Sequence, residues 1–142
     1  MRVTFLTDDA GPANGTGTVL HELAMGLIGR DHWSVRILAN KASRVGHDAA
    51  LNGCVDRVLP PWTPTFRWRP HKLLPMLFPS FELPPTDVLH AIVEFPYAIL
   101  AERLARRSGM PYVMSIHGRY GAVPFHHWEN RALYRRAIRN AS

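Results

Sequence analysis

His117-Gly118-Arg119 follows the apolar run YVMSI and sets an imidazole, a flexible glycine and a guanidinium in succession at one strand end. An imidazole there can orient a hydroxyl or stabilise developing charge, and a guanidinium grips phosphate oxygens two at a time. The trio suits an anionic sugar phosphate, and it also suits a structural histidine beside an ordinary turn. Glu94 follows the preceding apolar run. It is either the carboxylate which that loop offers to the same crevice or an exposed charge at a helix start just before Pro96. A third group, Asn14, Gly15, Thr16 and Gly17, lies between an apolar strand and a helix. Bare backbone N–H groups there could meet a phosphate at the helix's positive end, or the loop is a tight turn that binds nothing. It has neither the Gly-Lys-Ser/Thr of a Walker loop nor the Gly-x-Gly-x-x-Gly of a dinucleotide fold.

Other reactive types are set aside on spacing. His21-Glu22 opens like a zinc-protease helix, but the position four after His21 is Met25. His126-His127 has only Glu129 at useful distance, so no metal site is expected. Cys54 is the single cysteine, without a neighbouring base or a disulfide partner, and reads as a structural thiol.

The formal charge of +6 calls for an anionic contact, but the basic residues are spread along the chain and form no nucleic-acid tail. Residues 60–85 depart in composition, with frequent proline and with Trp62, Arg67, Trp68, Arg69 and Lys72 interleaved. Rings beside cations suit an anionic membrane surface, and they equally suit a flap over the domain. No binding-module signature accompanies the charge, so nucleic acid is not expected as a partner. There is no secretory leader pattern and no apolar run long enough to cross a bilayer, which predicts a cytoplasmic protein, free or resting on the membrane.

Positioning these residues falls to alternating elements. RVTFLT, SVRILA, VDRVLP, DVLHAI and YVMSIHG read as strands. Helices are expected from Val19 to a stop at Gly29 with Thr16 or Thr18 as cap, over 96–107 with a stop at Gly109, and over 128–140. In the last helix Trp128, Ala132, Leu133 and Ile138 are expected to face inward. Strands apolar on both faces alternating with helices predict a single α/β domain, a Rossmann-like doubly wound parallel sheet with helices on both faces. Ligands of such sheets lie beyond the strands' carboxyl ends, where the three groups above fall.

The order MRVTFLT, Gly-rich loop, TVLHELAMGLIGRDHWSVRILA, DVLHAI and GMPYVMSIHG resembles the N-terminal, acceptor-side domain of the family 4 retaining glycosyltransferases of GT-B fold. The resemblance spans nearly the whole chain apart from residues 60–85. It implies retaining transfer of a hexosyl group from a nucleoside-diphosphate sugar to a hydroxyl of a glycan, lipid or small molecule, with no cofactor beyond that co-substrate. It further implies that residues 14–17 approach the donor phosphates and acceptor, and that His117 lies near the transferred sugar as the catalytic residue, with Gly118 and Arg119 beside it. Thr16 separates the two glycines that the family has adjacent, and Asp31-His32 stands where it has Gly-His. The family's donor-binding domain, with its Glu, seven residues, Glu signature, has no counterpart in these residues. The expectation is therefore an acceptor-side half, truncated or one component of a split enzyme, with little activity alone. The alternative is a nonenzymatic membrane-surface or sugar-phosphate-binding module. A nicotinamide enzyme is disfavoured by the missing fingerprint.

Overall fold

RVTFLT turns its alternate side chains to opposite faces and forms β1 (Arg2–Thr7), the central strand of a five-stranded parallel sheet. The computed structural model describes residues 1–12, 15–40, 49–60, 70–117, 125 and 128–142. After β1 come α1 (Gly15–Ile28), β2 (Ser34–Asn40), α2 (Ala49–Asn52), β3 (Val55–Leu59) and α3 (Pro70–Leu77). Then follow β4 (Val88–Ala91), α4 (Tyr97–Ser108), β5 (Tyr112–Met114) and α5 (Trp128–Asn140). The strand order is β3-β2-β1-β4-β5, with every neighbouring pair parallel, so the expected Rossmann-like α/β architecture is present. From β1 the chain first winds toward β3 and later crosses back to β4, which makes the β1/β4 junction the topological switch point.

Two apolar cores form, one on each face of the sheet. Leu6, Leu38 and Leu89 meet Leu100 and Leu104 of α4 and Tyr134 of α5 on one side. Val3, Phe5, Val35 and Ile37 meet Leu20 and Ala24 of α1 on the other. Helix α1 leaves an open groove of about 350 Å³ on its face, lined among others by Phe5, Leu23, Leu27, Trp33 and Val113. Among the described residues no helix is long and apolar enough to cross a membrane.

Several boundaries differ from the sequence expectation. Helix α1 begins at Gly15 instead of Val19, so Thr16 and Thr18 lie in its first turn, and Thr18 Oγ1 donates to Pro12 O at 3.3 Å. β4 and β5 are shorter than the apolar runs that mark them, and β3 stops before Pro60, which has no N–H for a ladder. Gly109 ends α4 in the left-handed region at φ +68°, its N–H returning to Ala105 O. Of the residues expected to face inward on α5, Trp128 is 80 % exposed and Ala132 is also exposed. Tyr134 and Ala137 fill the core in their place, with Leu133 and Ile138 half-buried. The docking of α5 on α4 sets this phase, because positions 130, 134 and 137 share one side of a 3.6-residue turn and Trp128 falls on the other.

Helix α5 is clasped to α4 through a buried carboxylate. Glu102 Oε1 accepts from Arg136 Nε at 2.8 Å, from Arg136 Nη2 at 2.7 Å and from Asn140 Nδ2 at 3.2 Å. Arg136 keeps 43 % of its side chain in solvent, which screens the charge left behind when the partner is removed. Glu102→Ala is therefore expected to lower stability by about 2 kcal/mol, and Glu102→Gln by less. Urea unfolding of the two variants measures the difference.

Candidate functional site

The carboxyl ends of β1, β4 and β5 meet around the switch point, where Thr7 and Glu94 are buried and Asp8 and His117 each enclose a polar atom. At the end of β1, Thr7 is fully buried, and its hydroxyl donates to Asp9 O at 2.8 Å and accepts from Asp9 N–H at 3.3 Å. Asp9 Oδ1 in turn accepts from Gly11 N–H at 3.1 Å, which fixes the path into α1. Asp8, next along, has an enclosed Oδ1 with no hydrogen-bond partner among the described residues. Burial raises its carboxyl above the usual range, an effect partly offset by the Asp8 and Asp9 backbone amides and the Thr7 hydroxyl. Its charge reaches Tyr97 at the start of α4, whose phenol is pushed up first by burial and then by Asp8, against the contact with Asn40 at the end of β2.

Past β4, Glu94 is 1 % exposed, so it is not the solvated loop charge that one reading of the sequence allowed. Glu94 Oε1 accepts the backbone N–H of His117 at 3.2 Å and so ties the loop after β4 to the loop after β5. The His117 ring is half-buried, with Nε2 enclosed and without a partner among the described residues. Tyr134 Oη of α5 is enclosed in the same way. Its phenol is pushed up by burial and then by Glu94, which brings α5 to the same place. Buried polar groups normally find a partner, and Asp8, His117 and Tyr134 each keep an enclosed polar atom that no described residue satisfies.

His90, in β4, is held neutral beneath this site. Its Nε2 lies 2.9 Å from Ser115 Oγ, and its ring centroid stands 5.3 Å from that of Phe5. Burial, and secondarily the charge of His117, lower its pKa from 6.5 to about 4. A folded pKa below the unfolded one contributes stability in full above pH 6.5 and loses it as the pH falls toward 4, because the unfolded chain takes up the proton first. His90→Gln is expected to flatten the fall in urea midpoint between neutral and mildly acidic pH. An unchanged slope would place the acid sensitivity elsewhere.

Of the residues singled out in sequence, the fold joins Glu94 and His117 directly and sets Gly15, Thr16 and Gly17 in the first turn of α1, reached from the same end of β1. Asn14, Gly118, Arg119, Trp62, Arg67, Trp68 and Arg69 lie outside the described residues, as does the side chain of Lys72, whose backbone belongs to α3. A Cβ added at Gly15 meets no atom within 4 Å, so packing does not demand glycine there. Gly15→Ala should raise helix stability by roughly 0.5–1 kcal/mol. A simultaneous loss of ligand affinity, read by calorimetry, is the outcome expected if a phosphate rests on that backbone.

Sequence reasoning missed Asp8, Asn40, Tyr97 and Tyr134. Asp8 and Asn40 carried a usable signal, since each is a polar residue at the carboxyl end of an apolar strand. Tyr134 carried none, because only the docking of α5 brings it to Glu94. Among the described residues no three His, Cys, Asp or Glu side chains are grouped to hold a metal ion.

Comparison with curated proteins and with solved structures found no match. A family model described as a glycosyl transferase 4-like domain matches residues 14–142, a span that takes in α1, the four strands after it and every helix facing the crevice. With that match covering most of its length, the chain belongs to the glycosyl transferase 4-like domain family.

Proposed function

We propose that this chain is the N-terminal, acceptor-side domain of a retaining glycosyltransferase of GT-B architecture, and that its crevice binds the acceptor and the sugar end of a nucleoside-diphosphate hexose. The observation that carries this reading is the convergence of Asp8, Glu94 and His117 at the switch point of a sheet whose family is that of glycosyl transferase 4-like domains. In the reaction, the bond from the anomeric carbon to the diphosphate breaks and a bond from that carbon to the acceptor oxygen forms on the same face. The nucleoside diphosphate departs, and the acceptor's hydroxyl proton is released with it.

The chain's own residues supply positioning and charge stabilisation. Glu94 holds the His117 backbone, so the imidazole sits at a fixed point of the crevice wall. Its enclosed Nε2 is the atom that meets a sugar hydroxyl or the charge developing around the anomeric centre. Backbone N–H groups at the start of α1, with Arg119, take the phosphate side. The reading requires a second, donor-binding domain, and it needs no cofactor besides the sugar nucleotide.

The test supplies labelled nucleoside-diphosphate hexoses, a panel of glycan and lipid acceptors and a donor-binding domain of the same family. Label should pass to an acceptor only when both domains are present, with the anomeric configuration kept. Transfer with inverted configuration, or transfer independent of this chain, would sink the proposal.

A further inference from the structure

Although basic residues occur along the whole chain, most of its net positive charge falls on one pair of helices. α4 and α5 together hold Arg103, Arg106, Arg107, Arg131, Arg135, Arg136 and Arg139 against only Glu102 and Glu129, in a chain whose whole formal charge is +6. Glu102 is buried and already engaged by Arg136, with Arg106 Nε at 3.8 Å. Arg103 is also occupied, its guanidinium carbon lying 5.7 Å from the centroid of the Phe78 ring. Arg131, Arg135 and Arg139 are exposed and form no ion pair among the described residues.

Their spacing aligns these three arginines. At 3.6 residues per turn, positions 128, 135 and 139 fall within roughly 40° of one another around α5, with 131, 132 and 136 flanking them. Trp128, 80 % exposed, thus stands at the head of a line of arginines, unpaired among the described residues, on the face of α5 turned away from the core. An indole left in water at the end of a cationic stripe fits the headgroup layer of a bilayer, where the ring has an apolar side and the guanidinium groups meet phosphates. A single-stranded nucleic acid would call for several aromatic platforms along a groove, and this face offers one ring on a convex helix.

We infer that the outer face of α5, through Trp128, Arg131, Arg135 and Arg139, docks the domain on an anionic lipid surface. Trp128 is the first residue of α5. The inference stands on exposure and charge alone, whether or not the crevice performs transfer, and vesicle binding is read without substrate.

The experiment is co-sedimentation of the full chain with vesicles of phosphatidylcholine containing about one-third phosphatidylglycerol, against phosphatidylcholine alone. Binding is expected only to the anionic vesicles and should fall steeply with added salt. With about a fivefold contribution per arginine, the variant R131Q/R135Q/R139Q should bind about a hundredfold more weakly, and Trp128→Ala several-fold more weakly. All four positions are exposed, and unchanged circular dichroism verifies that the variants fold. Equal binding to both vesicle types, or full binding by the triple variant, overturns the inference. So does tighter binding of a short RNA or DNA through the same arginines, which would make this face a nucleic-acid surface.

Discussion

His117→Ala is expected to lower the rate of sugar transfer by about a hundredfold or more while leaving the urea midpoint almost unchanged. The separation of the two effects follows from the site's construction. What ties His117 to the fold is its backbone N–H on Glu94, and alanine keeps that bond. What the substitution removes is the ring, whose Nε2 is enclosed without a partner among the described residues and so contributes little to folding. Glu94→Gln acts through His117 and is a positioning change: it keeps an acceptor for the same N–H but withdraws the charge. It should lower kcat less than His117→Ala does, and its phenotype should include a Tyr134 phenol that ionises more easily, because Glu94 is one cause of that group's high pKa. A rate that survives His117→Ala unchanged would remove the ring from the mechanism, whatever the fate of the family assignment.

Phe5→Ala is expected to cost about 3–5 kcal/mol, enough to unfold many domains of this size. Phe5 is 1 % exposed in the middle of the central strand, where it pairs with Ile37 on one side and His90 on the other. Its ring fills the core beneath α1 and lies against the His90 imidazole. Deleting it opens a cavity that a strand bonded on both edges cannot collapse to fill, and it uncovers a histidine kept neutral by burial. The loss should therefore be smaller at mildly acidic pH than at neutral pH, because an uncovered His90 takes up its proton in the folded state as well and no longer makes the fold acid-sensitive. Phe5→Leu, which keeps most of the volume, should cost far less. Urea unfolding at two pH values checks both statements, and an equal loss at both would separate His90 from the packing of Phe5.

The sheet was legible because its strands are apolar on both faces and end abruptly. RVTFLT stops at Asp8 and SVRILA at Asn40, so the strand ends could be read, although neither polar residue was singled out. Glu94 and His117 likewise follow apolar runs, although nothing in the sequence said that one accepts from the other. The phase of α5 was not legible. Both Trp128 with Ala132 and Tyr134 with Ala137 form apolar pairs at helical spacing, and only the fit against α4 and the Glu102–Arg136 clasp chooses the second. The start of α1 was hidden by Gly15 and Gly17, poor helix formers that nonetheless occupy its first turn. The fit of α5 that brings Tyr134 to Glu94 also leaves Trp128 outside, in line with arginines that form no ion pair among the described residues.

A titration of the isotopically labelled chain with nucleoside-diphosphate hexoses and candidate acceptors, followed by backbone amide shifts, tests most directly whether the crevice is a sugar-transfer site. Shifts should concentrate at the carboxyl ends of β1, β4 and β5, in Thr7 to Gly11, Glu94 and His117, and at the start of α1, and they should weaken in His117→Ala. Shifts confined to the groove beneath α1 around Leu23, Trp33 and Val113, with Glu94 and His117 silent, would contradict that assignment.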